Sequence, residues 1–476
     1  MTDSIIMERV ADAAAECFYA ELAKTEDFGV FEALVAADMR SIAASVLRRC
    51  IERFDAELAG NMPRGWSVHE RAVRTLVTLV GEITFERTIF HDEFGRRRAL
   101  ADELLGIPPR ARVSPCCFLW IAMHASELSF RKTAAEFEAL TSARISHVTV
   151  MNVVHREGRL LKESGAEFAR DGMRISQDEL FFESDGLWVH LQESAHRKAA
   201  LPRFLYEQAR RTKSFELKMA AAYAGKTEVA PGRFERGGLC LTCADGSADG
   251  FWERAWRMIC ENYEEDDVER IAVGGDGAEW CGPERIDAMA PASCSVDFTL
   301  DPFHVMQKIV RAFPAEESPE RERAVCLAVR GEGDGLARMC EAAAANAAGR
   351  ARGKILDLAA YAANHASEIR PPAHELGTIE GTNAHIGAAR LKGQGRSWSR
   401  RGAEAICLIR CALATGRPLV APAASPWFTE KQVNAAASVV EKRGRRMPET
   451  SGRGWEPPHR AQPLGKSVMI SLSRRS

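Results

Sequence analysis

The stretch Leu180-Phe-Phe-Glu-Ser-Asp-Gly-Leu-Trp-Val-His-Leu-Gln192 decides the fold class, because an Asp-Gly pair interrupts an otherwise apolar run. We interpret it as a strand, a glycine break and a second strand, which places Asp185 at a strand end. The pattern continues with two strands, a helix and two more strands, at residues 215–224, 238–244, 251–263, 270–280 and 295–304. This mixture of strands and helices predicts an α/β layer.

Three acidic residues occupy positions where such a sheet places its ligands. Asp185 and Asp276 each precede a glycine after an apolar strand, and Glu380 precedes a helical, basic segment. Acids at the carboxyl ends of strands project into a shared crevice. An isolated Asp-Gly pair is equally typical of a plain turn. Two such pairs together with a later glutamate favour a site.

Three carboxylates are a suitable ligand set for Mg²⁺, which prefers oxygen. Two ions about 3.5–4 Å apart can clamp the attacking and leaving oxygens of a phosphodiester. We therefore predict two Mg²⁺ or Mn²⁺ ions held by Asp185, Asp276 and Glu380. His304 is a fourth catalytic candidate that could position DNA or the leaving group. The alternative at this point is a plain helix start, with Asp301 as its N-cap.

Two short helical patterns at residues 129–140 and 146–158 match the spacing of a helix-turn-helix, with Ser146 as a candidate N-cap. An ordinary helical hairpin has the same spacing, so both interpretations stay open. The second helix offers four polar positions for DNA contact, namely Ser146, His147, Thr149 and Asn152.

The segment around residues 389–401 is basic, broken by glycines and carries a tryptophan. Arginine and lysine bind phosphates, and an indole can stack on an exposed base. A solvated loop with a packing tryptophan is the alternative. The candidate DNA contacts in and near this segment are Asn383, Arg390, Lys392, Arg396, Trp398 and Arg400.

Charge is distributed unevenly along the chain. Its net charge is −2, but residues 386–476 carry 17 Lys and Arg against 5 Asp and Glu. That segment is therefore +12 and the rest −14, as in a phosphate-binding tail on an acidic body. A solvated tail that binds nothing specific remains the alternative.

The thirteen cysteines are scattered and odd in number. They indicate reduced, core-filling thiols in a cytoplasmic protein. Cys240 and Cys243 form a lone CxxC, so a zinc-dependent structural module stays open as an alternative. The N-terminus has no signal-peptide pattern, and the apolar run at 113–125 is too short to span a membrane.

Several segments, in the same order, resemble the ISLre-type insertion-sequence transposases, long classed as an uncharacterised protein family. The resemblance extends over about residues 70–412, and GDGAEW, LDPFH and IEGTN together carry it. The matching segments are GEITFERTIF (81–90), LADELLGI (100–107), ESDGLWVHLQ (183–192), GGDGAEW (274–280), LDPFHVMQK (300–308) and GTIEGTNAHIGAARLKGQGRSWSRRGAEA (377–405).

The resemblance implies an α/β, RNase H-like catalytic core of the Mutator-like kind, interrupted by a helical insertion. Asp185, Asp276 and Glu380 would be its DDE triad, and 301–304 its Asp-x-x-His element. The implied domains are an N-terminal helical region (1–65), a small β-hairpin region (66–112), a helix-turn-helix domain (113–172), the first part of the core (173–309), an all-helical insertion (310–372), the final part of the core (373–442) and a basic disordered tail (443–476).

The function that follows is that of a magnesium-dependent DNA transposase. It would bind terminal inverted repeats, cut each element end, and transfer the freed 3′-OH to target DNA. The implied partner is double-stranded DNA. Joining two ends implies a homodimer or a higher homo-oligomer, in the cytoplasm of a bacterium and associated with its nucleoid. Two rivals remain, a nuclease of the same fold that does not join DNA, and a non-catalytic helix-turn-helix DNA-binding protein.

Overall fold

The computed structural model describes residues 2–25, 27–170, 172–192, 214–371 and 376–421. The predicted tail at 443–476 lies outside the described residues. Contacts divide the chain into a first unit within residues 1–153 and a second within residues 154–419. In the described ranges, no helix has the length and apolar character needed to cross a lipid bilayer.

The first unit contains two long helices, an antiparallel sheet of order β1-β2-β3 and a group of shorter helices. Ile51 and Leu58 of the second helix pack against the buried face of the hairpin, which includes Phe85 and Phe90. The elements in chain order are α1 (Thr2–Leu22), α2 (Phe28–Gly60), β1 (Ser67–Thr78), β2 (Gly81–His91), β3 (Arg97–Arg98), α3 (Leu100–Leu104), α4 (Pro115–Glu127), α5 (Phe130–Thr141) and α6 (His147–Ser164), which continues into the second unit.

Serine side chains mark the starts of α4, α5 and α6. Ser114 accepts from the N–H of Cys117 and Ser129 from that of Lys132. Ser146 Oγ accepts from the N–H of Thr149 at 3.1 Å, so it caps α6 as its sequence position predicts. The two helices of the predicted helix-turn-helix are therefore α5 and α6.

The second unit is built on a mixed five-stranded sheet of order β10-β9-β4-β5-β8. Strands β4, β5 and β8 are antiparallel neighbours, whereas β4, β9 and β10 run parallel. The strands are β4 (Glu179–His190), β5 (Ser214–Tyr223), β6 (Gly225–Ala230), β7 (Arg233–Gly237), β8 (Cys240–Ala244), β9 (Arg270–Gly275) and β10 (Ser295–Leu300), of which β6 and β7 form a separate hairpin.

Helices cover this sheet and form a run of their own between β10 and Glu380. The helices are α7 (Ala248–Asn262), α8 (Pro283–Asp287), α9 (Pro302–Ala312), α10 (Pro319–Val329), α11 (Gly333–Ala345), α12 (Gly349–Asn364), α13 (Ile379–Thr382), a π-helical turn (Asn383–Ala388), α14 (Ala389–Leu391) and α15 (Arg400–Ala414), with 3₁₀ turns at Glu265–Asp267 and Glu279–Cys281. The segment that we predict as an all-helical insertion contains only helices among its described elements.

Strand β4 corrects one expectation. It continues through Asp185 and Gly186 without a break, because Asp185 pairs with Met219 of β5 and Gly186 with Lys218. Its pairing with β9, however, ends at Ser184 opposite Gly275. Asp185 therefore lies inside a strand, yet it lies just beyond the end of its parallel neighbour.

The CxxC segment forms strand β8. Cys240 and Cys243 are both buried and three residues apart, so their side chains point to opposite faces of the sheet. Cys240 donates to the carbonyl of Ala222, and Cys243 lies against Cys407 and Cys411 of α15. The two cysteines of the motif therefore do not form a common ligand pair.

Candidate metal centre

Asp185 lies on the central strand β4, one residue beyond the end of its pairing with β9. It is 5% exposed. Its Oδ1 accepts from the N–H of Gly186 at 2.7 Å, and its Oδ2 accepts from the side-chain amide of Asn383. Both contacts fix the carboxylate without neutralising it.

Asp276 follows the last residue of β9, in the position next to Asp185 on the neighbouring strand. Its Oδ1 accepts from the N–H of Ala278 at 2.8 Å and from the thiol of Cys281 at 3.2 Å. The Tyr361 hydroxyl donates to its backbone carbonyl at 3.1 Å. The end of β9 is thereby held in one conformation beside β4.

Glu380 and His304 complete the group around Asp185. Each of the three side chains offers one ligand atom, and these atoms lie within 4.8 Å of one another. His304 comes from the first turn of α9, which Asp301 caps by accepting from the N–H of Phe303 at 2.9 Å. The predicted cap at Asp301 and the predicted role of His304 are therefore compatible. Asp276 lies outside this tightest group.

Electrostatics show how close the acids are. Burial, and then the charge of Asp276, raise the pKa of Asp185 to about 6 against the lowering effect of His304. Burial also raises the pKa of Asp301, and the charges of Glu183 and Glu380 add to this increase. Carboxylates gathered without a compensating cation disfavour their own ionisation. This cluster is therefore poised to gain from a bound cation.

A divalent metal ion fits these residues. Two carboxylates supply the oxygen donors that Mg²⁺ and Mn²⁺ prefer, and the imidazole adds a nitrogen donor that suits transition-metal ions better than Mg²⁺. His304 Nε2 is buried and has no hydrogen-bond partner among the described residues, although Asp185 Oδ1 lies 4.0 Å away. An unsatisfied buried ring nitrogen facing carboxylates is what a ligand position requires.

Glu183 attaches the segment carrying Glu380 to strand β4. This carboxylate is 1% exposed and lies two residues before Asp185. It accepts from the N–H groups of Gly377 and Thr378, from the Thr378 hydroxyl, and from Tyr223 Oη at 2.9 Å. Four donors on one buried carboxylate fix the backbone two to three residues before Glu380.

The β6–β7 hairpin holds the same segment from another direction. Lys226 Nζ donates to the carbonyl of Leu376 at 2.7 Å. The Arg236 guanidinium donates to the hydroxyls of Thr378 at 3.0 Å and Thr382 at 2.9 Å. Burial lowers the pKa of Arg236. Both side chains therefore donate hydrogen bonds to groups on either side of Glu380 and hold that segment in place.

The turn after Glu380 is π-helical, at Asn383–Ala388. Such turns are rare and often occur at functional sites. Here the turn directs the Asn383 amide inward to Asp185. Gly387 lies against Leu187 of β4, where a Cβ would overlap the leucine side chain. Glycine at this position allows the turn to approach the strand.

Three of the predicted DNA contacts lie inside the protein. Asn383 and Arg390 are each 5% exposed and Trp398 is 9% exposed. Trp398 pairs with the end of β4 through its backbone, and its indole donates to the carbonyl of Leu391 at 3.1 Å. The Arg390 guanidinium lies over that indole. The structure has the packing tryptophan of the alternative, because long-range pairing with β4 covers the indole and leaves little of it for the predicted stacking on a base.

The remaining candidates in this segment lie at the surface or close to it. Lys392 is exposed. Arg396 donates to the carbonyls of Ala389 and Arg390, and Arg400 pairs with Asp245 at 2.6 Å. These two arginines have structural partners, which leaves Lys392 as the freest candidate.

On α6, the four candidate DNA contacts lie at the N-terminal end of the helix. Ser146, His147 and Asn152 are exposed and Thr149 is half-buried. The buried face of the helix includes Val150, Val153 and Val154. The polar residues are therefore available at the surface of the helix.

Sequence reasoning missed Glu183, Lys226 and Arg236. A charged residue inside the apolar strand 180–192 was the available signal for Glu183. The hairpin cations gave no such signal, because their strands are short, polar and mostly exposed.

Comparison with known proteins places the chain in a family. The model of "Uncharacterised protein family (UPF0236)" matches residues 27–422, so the chain belongs to that family. A UPF0236 protein in the vanSb 3′ region of Streptococcus gallolyticus is 24% identical over 387 residues, which cover 79% of this chain and 81% of that protein.

A second relative comes from Caldanaerobacter subterraneus subsp. tengcongensis, and its name joins eleven locus labels. It is 24% identical over 378 residues, covering 78% of this chain and 73% of that protein. Among solved structures, the chain is similar to a Drosophila P element transposase strand transfer complex, with a TM-score of 0.24 and 9% identity over 64% of this chain and 80% of that one.

Proposed function

We propose that this UPF0236 protein is a DDE-type DNA transposase with an RNase H-like core. It would cut DNA at element ends and transfer the 3′-OH ends to target DNA. The observation that carries the proposal is the convergence of Asp185, Glu380 and His304, with Asp276 on the adjacent strand.

The topology supports the RNase H-like assignment. Three antiparallel strands are followed by two parallel ones, in the order β10-β9-β4-β5-β8. The acids come from the central strand β4, from the end of β9 and from the helical segment that precedes α15. Helices α10, α11 and α12 separate His304 from Glu380, as a helical insertion would.

The relatives add a second kind of support. One of them carries eleven locus labels within a single organism. Many copies of one gene in a genome are typical of a mobile element. They are not typical of a housekeeping nuclease or a repressor. This multiplicity favours transposition over the two rival functions.

Each residue has a distinct role in the proposal. Asp185, Asp276 and Glu380 would hold one or two divalent ions, with His304 beside them. When bound, the ions neutralise charge at the scissile phosphate. Asn383 orients Asp185, and Glu183 fixes the Glu380 segment. Lys392 and the exposed end of α6 are the proposed contacts to DNA backbone and end sequence, and two joined ends would require at least a dimer.

The test is a strand-transfer assay with the purified full chain, Mg²⁺, and DNA taken from both flanks of the reading frame. We expect cut ends and joined products from the unaltered protein and neither from Asp276→Ala. Asp266→Ala, an exposed acid of the same unit, is the matched control.

The outcomes separate the rivals. Cleavage without joined products would favour a nuclease of the same fold. Unchanged products from Asp276→Ala would remove the assignment of the acids. Sequence-specific binding that persists with all three acids replaced, and without cleavage by any variant, would favour a non-catalytic DNA-binding protein.

A further inference from the structure

A cavity of about 300 Å³ adjoins the metal centre at Asp276 and His304, and other residues that line it have no role so far. One wall is helix α9, which contributes His304, Gln307, Lys308 and Arg311. Their spacing of three and four residues places them on one face of the helix. The opposite face carries Val305 and Ile309, which are buried. The sequence pattern of α9 therefore directs a polar, cationic face into the cavity.

The two cations on this wall, Lys308 and Arg311, have no ion pair among the described residues. Within the described part of the chain, no carboxylate lies within 4.0 Å of Lys308 or Arg311, whereas Arg270 pairs with both Glu179 and Asp297. Lys308 Nζ lies over the ring of Tyr361, 4.2 Å from its centroid, and Tyr361 also lines the cavity. That tyrosine is held by its bond to the backbone of Asp276. The cavity thus has two cations without an ion pair among the described residues, one of them resting on a tyrosine that is held in place.

The helix also sets the spacing from the metal centre. Lys308 is one turn beyond His304, or ~6 Å along the axis, and Arg311 is ~10 Å beyond it. A strand of nucleic acid carries one charge for roughly each 3.4 Å of axis. For a strand that runs along α9, the second and third phosphates from one at the metal centre would therefore lie beside Lys308 and Arg311.

We propose that this cavity binds the second and third phosphodiesters from the scissile phosphate of the DNA strand being cut, through Lys308 and Arg311. The inference rests on the proposed function for the identity of the strand. The chemistry is that of a polyanion, because two cations one turn apart on α9 line the cavity and neither has an ion pair among the described residues.

The first experiment needs no cleavage. Binding of the full chain to a short DNA duplex of arbitrary sequence is measured in EDTA over a series of salt concentrations, for the unaltered protein and for Lys308→Gln/Arg311→Gln. We expect the slope of log affinity against log salt to fall by about two, since each lost phosphate contact removes about one.

The matched control is Arg323→Gln/Arg338→Gln. These arginines are exposed on α10 and α11 and have no ion pair within the described ranges. The control should leave the slope unchanged. A slope for the Lys308/Arg311 variant equal to that of the control would overturn the proposal, whether or not the protein cuts DNA.

The second experiment locates the contact. Single methylphosphonates, which remove one charge each, are placed at the phosphates adjoining the mapped cut. We expect one or two positions to slow single-turnover cleavage in the unaltered protein and to cause no further loss in Lys308→Gln/Arg311→Gln. Fully additive losses at every position would overturn it. Absence of cleavage by the unaltered protein would count against the proposed function alone, and the salt slope would still decide the cavity.

Discussion

A buried aspartate in each unit of the chain lies in an opposite electrostatic environment. In the first, Asp102 is 4% exposed and lies between Arg74 and Arg87, and Arg74 also donates to the carbonyls of Pro108 and Ala111. In the second, Asp185 lies among other carboxylates and its pKa is raised to about 6. A buried charge that is paired internally stabilises one structure, whereas a group of like charges needs an ion from outside. The contrast distinguishes the structural ion-pair network around Asp102 from the candidate metal centre around Asp185.

The largest expected effect is on strand-transfer activity, when an acid next to Asp185 is replaced. Asp276→Ala should lower strand transfer at least about a thousandfold, because stabilisation of transition-state charge by a held ion amounts to several kcal/mol. Asp276→Asn keeps an oxygen that can accept from Ala278 and Cys281, so it should lower strand transfer in the same way but leave the metal-free protein as stable as before or more so, since it removes a repelling charge next to Asp185. Product formation and thermal unfolding in EDTA measure the two effects.

A reduction of both strand transfer and stability in Asp276→Asn would contradict the contrast between the two buried aspartates. It would show that the charge of Asp276 stabilises the fold in the absence of a metal ion.

In the first unit, replacement of the buried acid Asp102 is expected to lower stability. Asp102→Asn should destabilise that unit by about 3–5 kcal/mol, because it leaves the buried Arg74 and the half-buried Arg87 without their carboxylate. Urea unfolding measures the loss, and Glu82→Gln, an exposed acid on β2, is the control. A loss below about 1 kcal/mol would show that the network is not a structural pair.

A smaller effect is expected when Glu183, which holds the segment carrying Glu380, is replaced. Glu183→Gln keeps the shape of the side chain but weakens its bonds to Gly377, Thr378 and Tyr223, so Glu380 should be held less firmly. We expect Mn²⁺ affinity to fall about 10–100-fold, as for other groups that orient metal ligands.

Calorimetric titration with Mn²⁺ measures that affinity directly, and activity restored by excess Mn²⁺ should accompany the loss. Glu179→Gln, on the same strand and paired with Arg270, is the control. Unchanged Mn²⁺ affinity in a folded Glu183→Gln protein would be incompatible with a positioning role.

The smallest effect is in the pH dependence. A carboxyl whose folded pKa is raised binds more protons in the folded state than in the unfolded state. Without metal, Asp185 therefore contributes stability below pH 4 that is lost as the pH rises through about 6. Metal competes with the same proton, so affinity should increase up to tenfold per pH unit below about pH 6 and level off above it. Mn²⁺ titrations from pH 5 to pH 8 measure this, and a flat profile would exclude Asp185 as a ligand.

Local sequence predicted the parts of the fold that depend on local chemistry. Asp276 follows β9 as expected, because glycines on both sides end the strand there. Ser146 and Asp301 cap their helices, because a short polar side chain before an apolar period satisfies the first free N–H groups. The caps and the strand end depend only on neighbours in the chain.

The remaining features depend on residues far apart in sequence. Gly186 does not break β4, because β5 continues to pair with it. Trp398 is buried because β4 extends beneath it, and Asn383 turns inward because of a π-helical turn that no spacing rule indicates. Glu183 has its partners 194 and 195 residues away. The acids could be named from the sequence, whereas the residues that hold them could not.

An anomalous difference map from crystals of the full chain grown with Mn²⁺ tests the central claim most directly. The account predicts a peak within about 2.0–2.2 Å of carboxylate oxygens of Asp185 and Glu380, near His304 and Asp276. Full Mn²⁺ occupancy elsewhere in the molecule, with no density among these four side chains, would contradict it.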